Sequence, residues 1–296
     1  MNAELLAVLD PEIVLRRLAE TNGIRADQRA VNQQRALTIT TNPFISKDAT
    51  EGGVVVVGSS LVHLGDTHMC CAVTLQVGTP SPMSPEQGDV DFEVTLGPLC
   101  SPKYDQRGKP EDAYELEQLL ETVLKRSSGM LDLRDLCIER ERLAFQLGVR
   151  VLCLSAAGNL QDTAILAAVA ALRDVRLPAI EIETEVGMEN GPGQVRLSRD
   201  STKSRPLNLQ CCPIPATVGV FQQTLLLDPS HAELPGLHGL VRCVILDDGR
   251  LCHLSQGDFS AGGTGLEQAE LQKAIGLCQT AAVAIRSKLL GAFPNR

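Results

Sequence analysis

The chain has 296 residues, with 27 Lys and Arg against 36 Asp and Glu, and 44% of it is hydrophobic. That is enough apolar sequence for a sizeable core, which excludes a disordered tail or a disulfide miniprotein. A net charge of −9 argues against one dominant basic face for nucleic acid, and aromatics at 3% leave few platforms on which single-stranded bases could stack.

The ten cysteines contain no CxxC pair, and several sit in apolar runs such as VRCVIL, so they read as reduced core thiols. The five histidines (63, 68, 231, 238 and 253) form no HExxH, and no Cys/His group has zinc-ligand spacing, so no metal and no cofactor is expected. The N-terminus lacks a basic segment ahead of an apolar run, and no stretch reaches the ~18 apolar residues of a spanning helix, which leads to the expectation of a soluble chain.

In chain order, Asp10, Pro11 and Gly23 bracket a short N-terminal helix carrying Val14, Leu15 and Leu18 on one side. The polar stretch IRADQRAVNQQRA follows. LTIT and GGVVVVGSSLVHLGDTHMCCAVTLQVG then read as three strands, or four, with a turn at Gly65-Asp66. Six prolines between Thr79 and Pro110 make that segment mostly loop, with DFEVTL a candidate strand. Leu116, Leu119, Leu120, Val123 and Leu124 recur at helical spacing. Glu111 and Asp112 lie in the first turn, Lys125 and Arg126 in the last, and Gly129 beyond, which predicts a helix aligned with its dipole. LAFQLGVRVLCLSAAGN predicts a strand and turn, and TAILAAVAAL a helix apolar all round and therefore buried.

The second half repeats this order in outline. Strands are predicted at AIEIETEV, LNLQCC, ATVGVF and TLLLD, then a hairpin GLVRCVIL/RLCHLS turning at Asp247-Asp248-Gly249. A terminal helix follows, with Thr264 and Glu267 at capping-box spacing. The fold class is α/β (α+β): one domain with an internal pseudo-repeat of mixed sheets and helices.

Gly262-Gly263-Thr264-Gly265 before a helix could cradle phosphate, but without a following Lys it reads better as a loop. Asp247-Asp248 reads as a hairpin turn, and His63 and His68 as packing or surface residues. Two basic clusters remain: Lys103, Arg107 and Lys109 in the Pro-rich excursion, and Arg196, Arg199, Lys203 and Arg205 between strands. Each is either a solvated loop or an RNA contact.

Several segments together resemble the RNase PH-like ring subunits of the eukaryotic RNA exosome, in their non-catalytic branch. IRADQRAVNQQR is similar to the family's RxDGR…R opening, with Gln28 where Gly is usual. VHLGDTHMCCAV, VGTPSP, LGPLCSPKY, DLCIERERLAFQLGVRVLCLSAAGNLQDTAILAAVAALRDVRLP and LLLDPS follow in the family's order. The resemblance covers nearly the whole chain.

It implies an N-terminal helix over 1–23 and one RNase PH-like domain over 24–296. It also implies a place in a pseudo-hexameric ring, with other RNase PH-like subunits, RNA-binding cap subunits and RNA as partners, in nucleus, nucleolus and cytoplasm. Active members hold phosphate with a Thr/Arg cluster at the start of the buried central helix, whereas residues 155–167 here contain no Arg or Lys. Active members also place acidic residues in the strand-and-turn segment that follows, whereas residues 207–221 contain no carboxylate. The expectation is a non-catalytic structural subunit, and the alternatives are an active phosphate-dependent 3′–5′ exoribonuclease or a small-molecule transferase using the glycine loop. The first basic cluster lies where the resemblance places a loop facing the ring's channel.

Overall fold

The computed structural model describes residue 15 and residues 24–44, 55–105, 108–183, 194–197, 204–222, 224–257 and 266–293, with 181–183 and 194–197 described by their backbone alone. The N-terminal helix, apart from a buried helical Leu15, and the glycine loop at 262–265 therefore lie outside the described residues.

The three-strand reading of the first apolar block holds. β1 (Leu37–Thr41), β2 (Val55–Leu64) and β3 (Thr67–Gly78) form an antiparallel meander, with the β2–β3 turn at Gly65-Asp66. Burial along β3 alternates: Thr67, Met69, Cys71, Val73 and Leu75 are buried and the residues between them are half-buried, as expected of a sheet with one face on the core. DFEVTL lies in β4 (Asp89–Thr95). The sheet runs β1-β2-β3-β6-β4, where β6 (Leu143–Ser155) is antiparallel to β3 and parallel to β4, and the short β5 (Cys137–Glu139) pairs with β6.

The helix expected over 111–126 begins as α1 (Glu111–Leu120) and continues in wider π-helical turns over Glu121–Ser127, where Ser128 N–H bonds Val123 C=O. Val123 and Leu124 are both fully buried in those turns, and Gly129 at φ +65° ends them. The second helix, α2 (Leu160–Asp174), is buried at every position from Asp162 to Leu172. It lies between two sheets, against β2 and β3 on one side and β11 on the other. At Gly58 β2 passes so close to α2 that a Cβ would sit 2.6 Å from Ala171 O.

Beyond α2, the short β7 (Arg176–Leu177) pairs with β10 (Arg205–Pro206), and β8 (Ile180–Glu183) with β9 (Gln194–Leu197). The second sheet is antiparallel, in the order β12 (Thr224–Leu227), β11 (Ile214–Phe221), β13 (Gly239–Ile245), β14 (Leu251–Gly257). The β13–β14 hairpin turns at Asp247-Asp248-Gly249, with Gly249 at φ +81°. The terminal helix α3 (Gln268–Gly291) packs on β11 and β13 through Cys278, Ala282, Ile285 and Leu289, and all ten cysteines are free thiols. Each half thus contributes one main sheet, with α1 and α2 in the first half and α3 the helix among the described residues of the second.

Two expectations are corrected. LNLQCC is not a strand: Leu207 N–H bonds Val175 C=O, Gln210 N–H bonds Met130 C=O, and Leu209 makes a lone bridge to Leu131, so the segment threads between elements with Pro206 and Pro213 at its ends. The box at the start of α3 is formed by Glu267 and Glu270, each side chain meeting the other's backbone N–H, rather than by Thr264 and Glu267.

Candidate functional site

The polar opening IRADQRAVNQQR becomes a strap that reaches the second half of the chain. Its three arginines, Arg25, Arg29 and Arg35, are buried. Arg25 forks onto Glu233, with Nε to Oε1 at 2.8 Å, and donates to Leu227 O at 2.6 Å. Arg35 forks onto Asp228, with Nε to Oδ2 at 2.9 Å and Nη2 to Oδ1 at 2.7 Å, and its backbone N–H adds a third bond at 3.0 Å. Arg29 donates to Asp27 at 2.6 Å and to Asp228 O at 3.3 Å. Burial alone would raise the Asp228 carboxyl, but the bonds and charge of Arg35, with Asn159, hold it below the ordinary carboxylate range.

From Asp228 the network continues into the start of α2. Asn159, in the left-handed region at φ +52°, donates to Asp228 Oδ1 and to Asp162 Oδ2, both at 2.8 Å. Thr217 of β11 donates to Asp162 Oδ1, also at 2.8 Å. Asp162 is buried, and burial pushes its carboxyl up to about 6 against the bonds from Asn159 and Thr217.

Above this network lies a cleft of about 510 Å³, walled by the Ser101–Tyr104 turn, α1, the start of α2, β11, the Pro229–Leu237 loop and β13. It answers the expectation that nothing near residues 155–167 could face an anion. That stretch brings no cation, yet Lys103 and Arg242 line the cleft from other elements, with the His231 imidazole beside them. Arg242 has no carboxylate within 4 Å among the described residues. The acidic lining residues are Asp112 and Glu115. Asp112 accepts from Lys103 Nζ at 2.8 Å and from Tyr104 Oη at 2.7 Å; burial works against it, but these bonds hold its carboxyl below the ordinary value. β11 carries no carboxylate. Among the described residues, no three His, Cys, Asp or Glu side chains converge as a metal site would require.

Of the candidate RNA contacts, Lys103 lines this cleft. Lys109 does not: it pairs with Glu117 and lies 4.9 Å from the Tyr114 ring centroid. Arg205 is on β10, paired with Asp135 at 2.6 Å. Arg196 is in β9, described by backbone alone, opposite Glu181. Arg107, Arg199 and Lys203 lie outside the described residues. His63 and His68 face each other across the β2–β3 turn, with ring centroids 4.1 Å apart.

Arg242 escapes a sequence reading because it sits in the apolar run VRCVIL. A lone charge there is the signal, since a cleft or a partner explains a half-buried arginine opposite Thr217 in a strand otherwise buried.

Residues 33–178 match the family model described as the 3′ exoribonuclease family, domain 1, of RNase PH. The chain is 30% identical over 249 residues to the exosome complex component Rrp42 of Methanothermobacter thermautotrophicus, covering 83% of this chain and 84% of that one. It is 31% identical over 235 residues to that of Pyrobaculum aerophilum, covering 79% and 78%. The chain belongs to the RNase PH family of exosome components. A chain of the Archaeoglobus fulgidus exosome, solved with RNA bound to the active site, superposes with TM-score 0.77 at 25% identity over 96% of this chain and 99% of that one. Rice Rrp46 shares the fold, with TM-score 0.61 at 19% identity over 90% and 98%. The expectation of one RNase PH-like α/β domain is therefore met.

Proposed function

We propose that the chain is a ring subunit of an exosome core, assembled with other RNase PH-like subunits and cap subunits, that helps form the channel guiding RNA to 3′–5′ processing and degradation and performs no phosphorolysis itself. One observation carries the second half of this reading: the buried carboxylates beneath the cleft are engaged in holding the fold and do not line it. Asp162 is sealed under Asn159 and Thr217, Asp228 is neutralised by Arg35, and β11 offers no other acid. A general acid or base must reach the proton it moves; Asp162 and Asp228 share Asn159 beneath the cleft, and of the two acids that line it Asp112 is held by Lys103 and Tyr104. Work in nucleus, nucleolus and cytoplasm belongs to the same reading, and imaging of the tagged chain tests it.

The competing reading, an active phosphate-dependent exoribonuclease, draws on Lys103, His231 and Arg242 around the start of α2, where an anion would be attracted. Purified chain incubated with labelled RNA and inorganic phosphate separates the two. We expect no nucleoside diphosphate above background. Release that is abolished by Arg242→Ala would overturn the non-catalytic reading. Recovery of the tagged chain from its own cells as a monomer would overturn the ring assignment.

A further inference from the structure

β4 has β6 on one side and, among the described residues, no strand on the other. An open edge exposes main-chain groups at every second residue, and here α1 and the π-helical turns reach over to occupy several of them. Val94 N–H donates to Glu117 Oε1 at 2.7 Å, and Val90 C=O accepts from Lys125 Nζ at 3.1 Å. Val90 N–H is taken by its neighbour Asp89 at 2.9 Å. Residues 90 and 94 thus turn their main chain away from β6, and the two-residue period turns Phe92 the same way. No side chain among the described residues bonds the main chain of Phe92, so its N–H and C=O face outward between two occupied positions.

Beside them lies a groove of about 340 Å³ containing Asp89, Asp91, Glu117 and Glu121 against one ammonium, Lys125, with the exposed ring of Tyr114 on its wall. The other counter-charges, Lys109, Arg126 and Arg150, reach these acids from outside the groove. The Arg126–Glu121 and Arg150–Asp91 pairs are exposed and exchange at little cost, whereas Lys109–Glu117 is half-buried.

We propose that the β4 edge is a docking site for an extended, basic segment of a partner protein, which adds as a strand by pairing with Phe92 and places a Lys or Arg among Asp91, Glu117 and Glu121 beside Tyr114. Main-chain pairing supplies attachment and the acidic groove supplies choice of partner. The docked segment displaces Glu117 from Val94 and Lys125 from Val90, so the side chains that shield the free edge from indiscriminate pairing also set a threshold for entry.

The probe is a fluorescein-labelled octapeptide of alternating Lys and Val, with a Glu/Val octapeptide as control, added to the full-length chain. Hydrogen exchange of the 89–95 segment is followed alongside fluorescence anisotropy. The Lys/Val peptide should slow exchange of the Phe92 amide by about tenfold or more at saturation, and the Glu/Val peptide should not. Asp91→Lys with Glu121→Lys, both at solvent-facing positions, should weaken binding about tenfold or more while leaving the thermal transition in place. Unchanged exchange at 89–95 with Lys/Val peptide bound elsewhere, equal binding of the two peptides, or no binding at millimolar peptide would overturn the proposal.

Discussion

Asp228→Asn tests the reading of the strap as a neutralised buried clasp. Asp228 is 2% exposed and sits at φ +51°, a conformation that Asn adopts readily, so the change removes charge without straining the backbone. It takes the carboxylate from four donors: Arg35 N, Nε and Nη2, and Asn159 Nδ2, at 2.7–3.0 Å. One amide oxygen cannot serve them, and Arg35 is left buried without a facing charge, at a cost of about 3–5 kcal/mol. Urea unfolding of the full-length chain should show a midpoint lower by about 1–2 M with an unchanged slope. Replacing the partner as well, in Arg35→Met with Asp228→Asn, should return part of the loss, since neither charge is then stranded. The pH dependence gives a second check. The folded carboxyl is held below its unfolded value of about 3.9, so its stabilisation is present above that pH and is lost as pH falls through the lower folded value. The gap between wild type and variant should therefore close in acid. A loss under about 1 kcal/mol at pH 7, or a gap as wide at pH 3 as at pH 7, would refute the clasp.

Asp162 should behave in the opposite sense. Its folded carboxyl titrates at about 6 against about 3.9 unfolded, so the folded state binds the extra proton between those values and stability falls as pH rises through them, by about 2–3 kcal/mol; Asp162→Asn should flatten urea midpoints measured from pH 4 to 7. Gln28 occupies φ +66° where the family resemblance has Gly, so Gln28→Gly should raise thermal stability by up to about 1 kcal/mol, and a drop would mean that the side chain does something the turn does not show. Lys103, Arg107 and Lys109 changed together to Ala in the assembled complex should weaken RNA binding regardless of sequence and make the salt dependence shallower by up to ~0.7 for each phosphate that is no longer neutralised; an unchanged slope would move that expectation to Arg196, Arg199, Lys203 and Arg205.

Much of the fold is legible in the sequence because the signals that define it are local. The alternation in THMCCAVTL, the all-apolar TAILAAVAAL and the Asp-Asp-Gly turn each specify an element without reference to distant residues, and β3, α2 and the β13–β14 hairpin follow them. LNLQCC misleads because its apolar residues are those of a strand, whereas its backbone partners, Val175 and Met130, belong to two separate elements. Periodicity registers burial but not which chain segment supplies the hydrogen bonds.

The site is less legible because its charges meet across the chain. Arg25 and Glu233 are 208 positions apart, and Arg35 and Asp228 are 193 apart, so neither pair leaves a local pattern. The arginines are visible as part of the opening that resembles the family, but their role is not: they clamp Asp228, which with Asp162 holds Asn159 and so fixes the first turn of α2 at the cleft floor. The same distance effect explains the cleft's basic side chains. Residues 155–167 carry none, yet a turn before α1, the Pro229–Leu237 loop and β13 deliver Lys103, His231 and Arg242 to the same cleft. Absence of a charge from one segment therefore does not decide whether a site can attract an anion. The carboxylates are more informative, because an acid already neutralised by a buried guanidinium cannot take up a proton without stranding that charge. In this chain Asp228 is so committed and Asp162 faces Asn159 and Thr217, which leaves attraction of an anion and proton transfer to it as separable properties of one cleft.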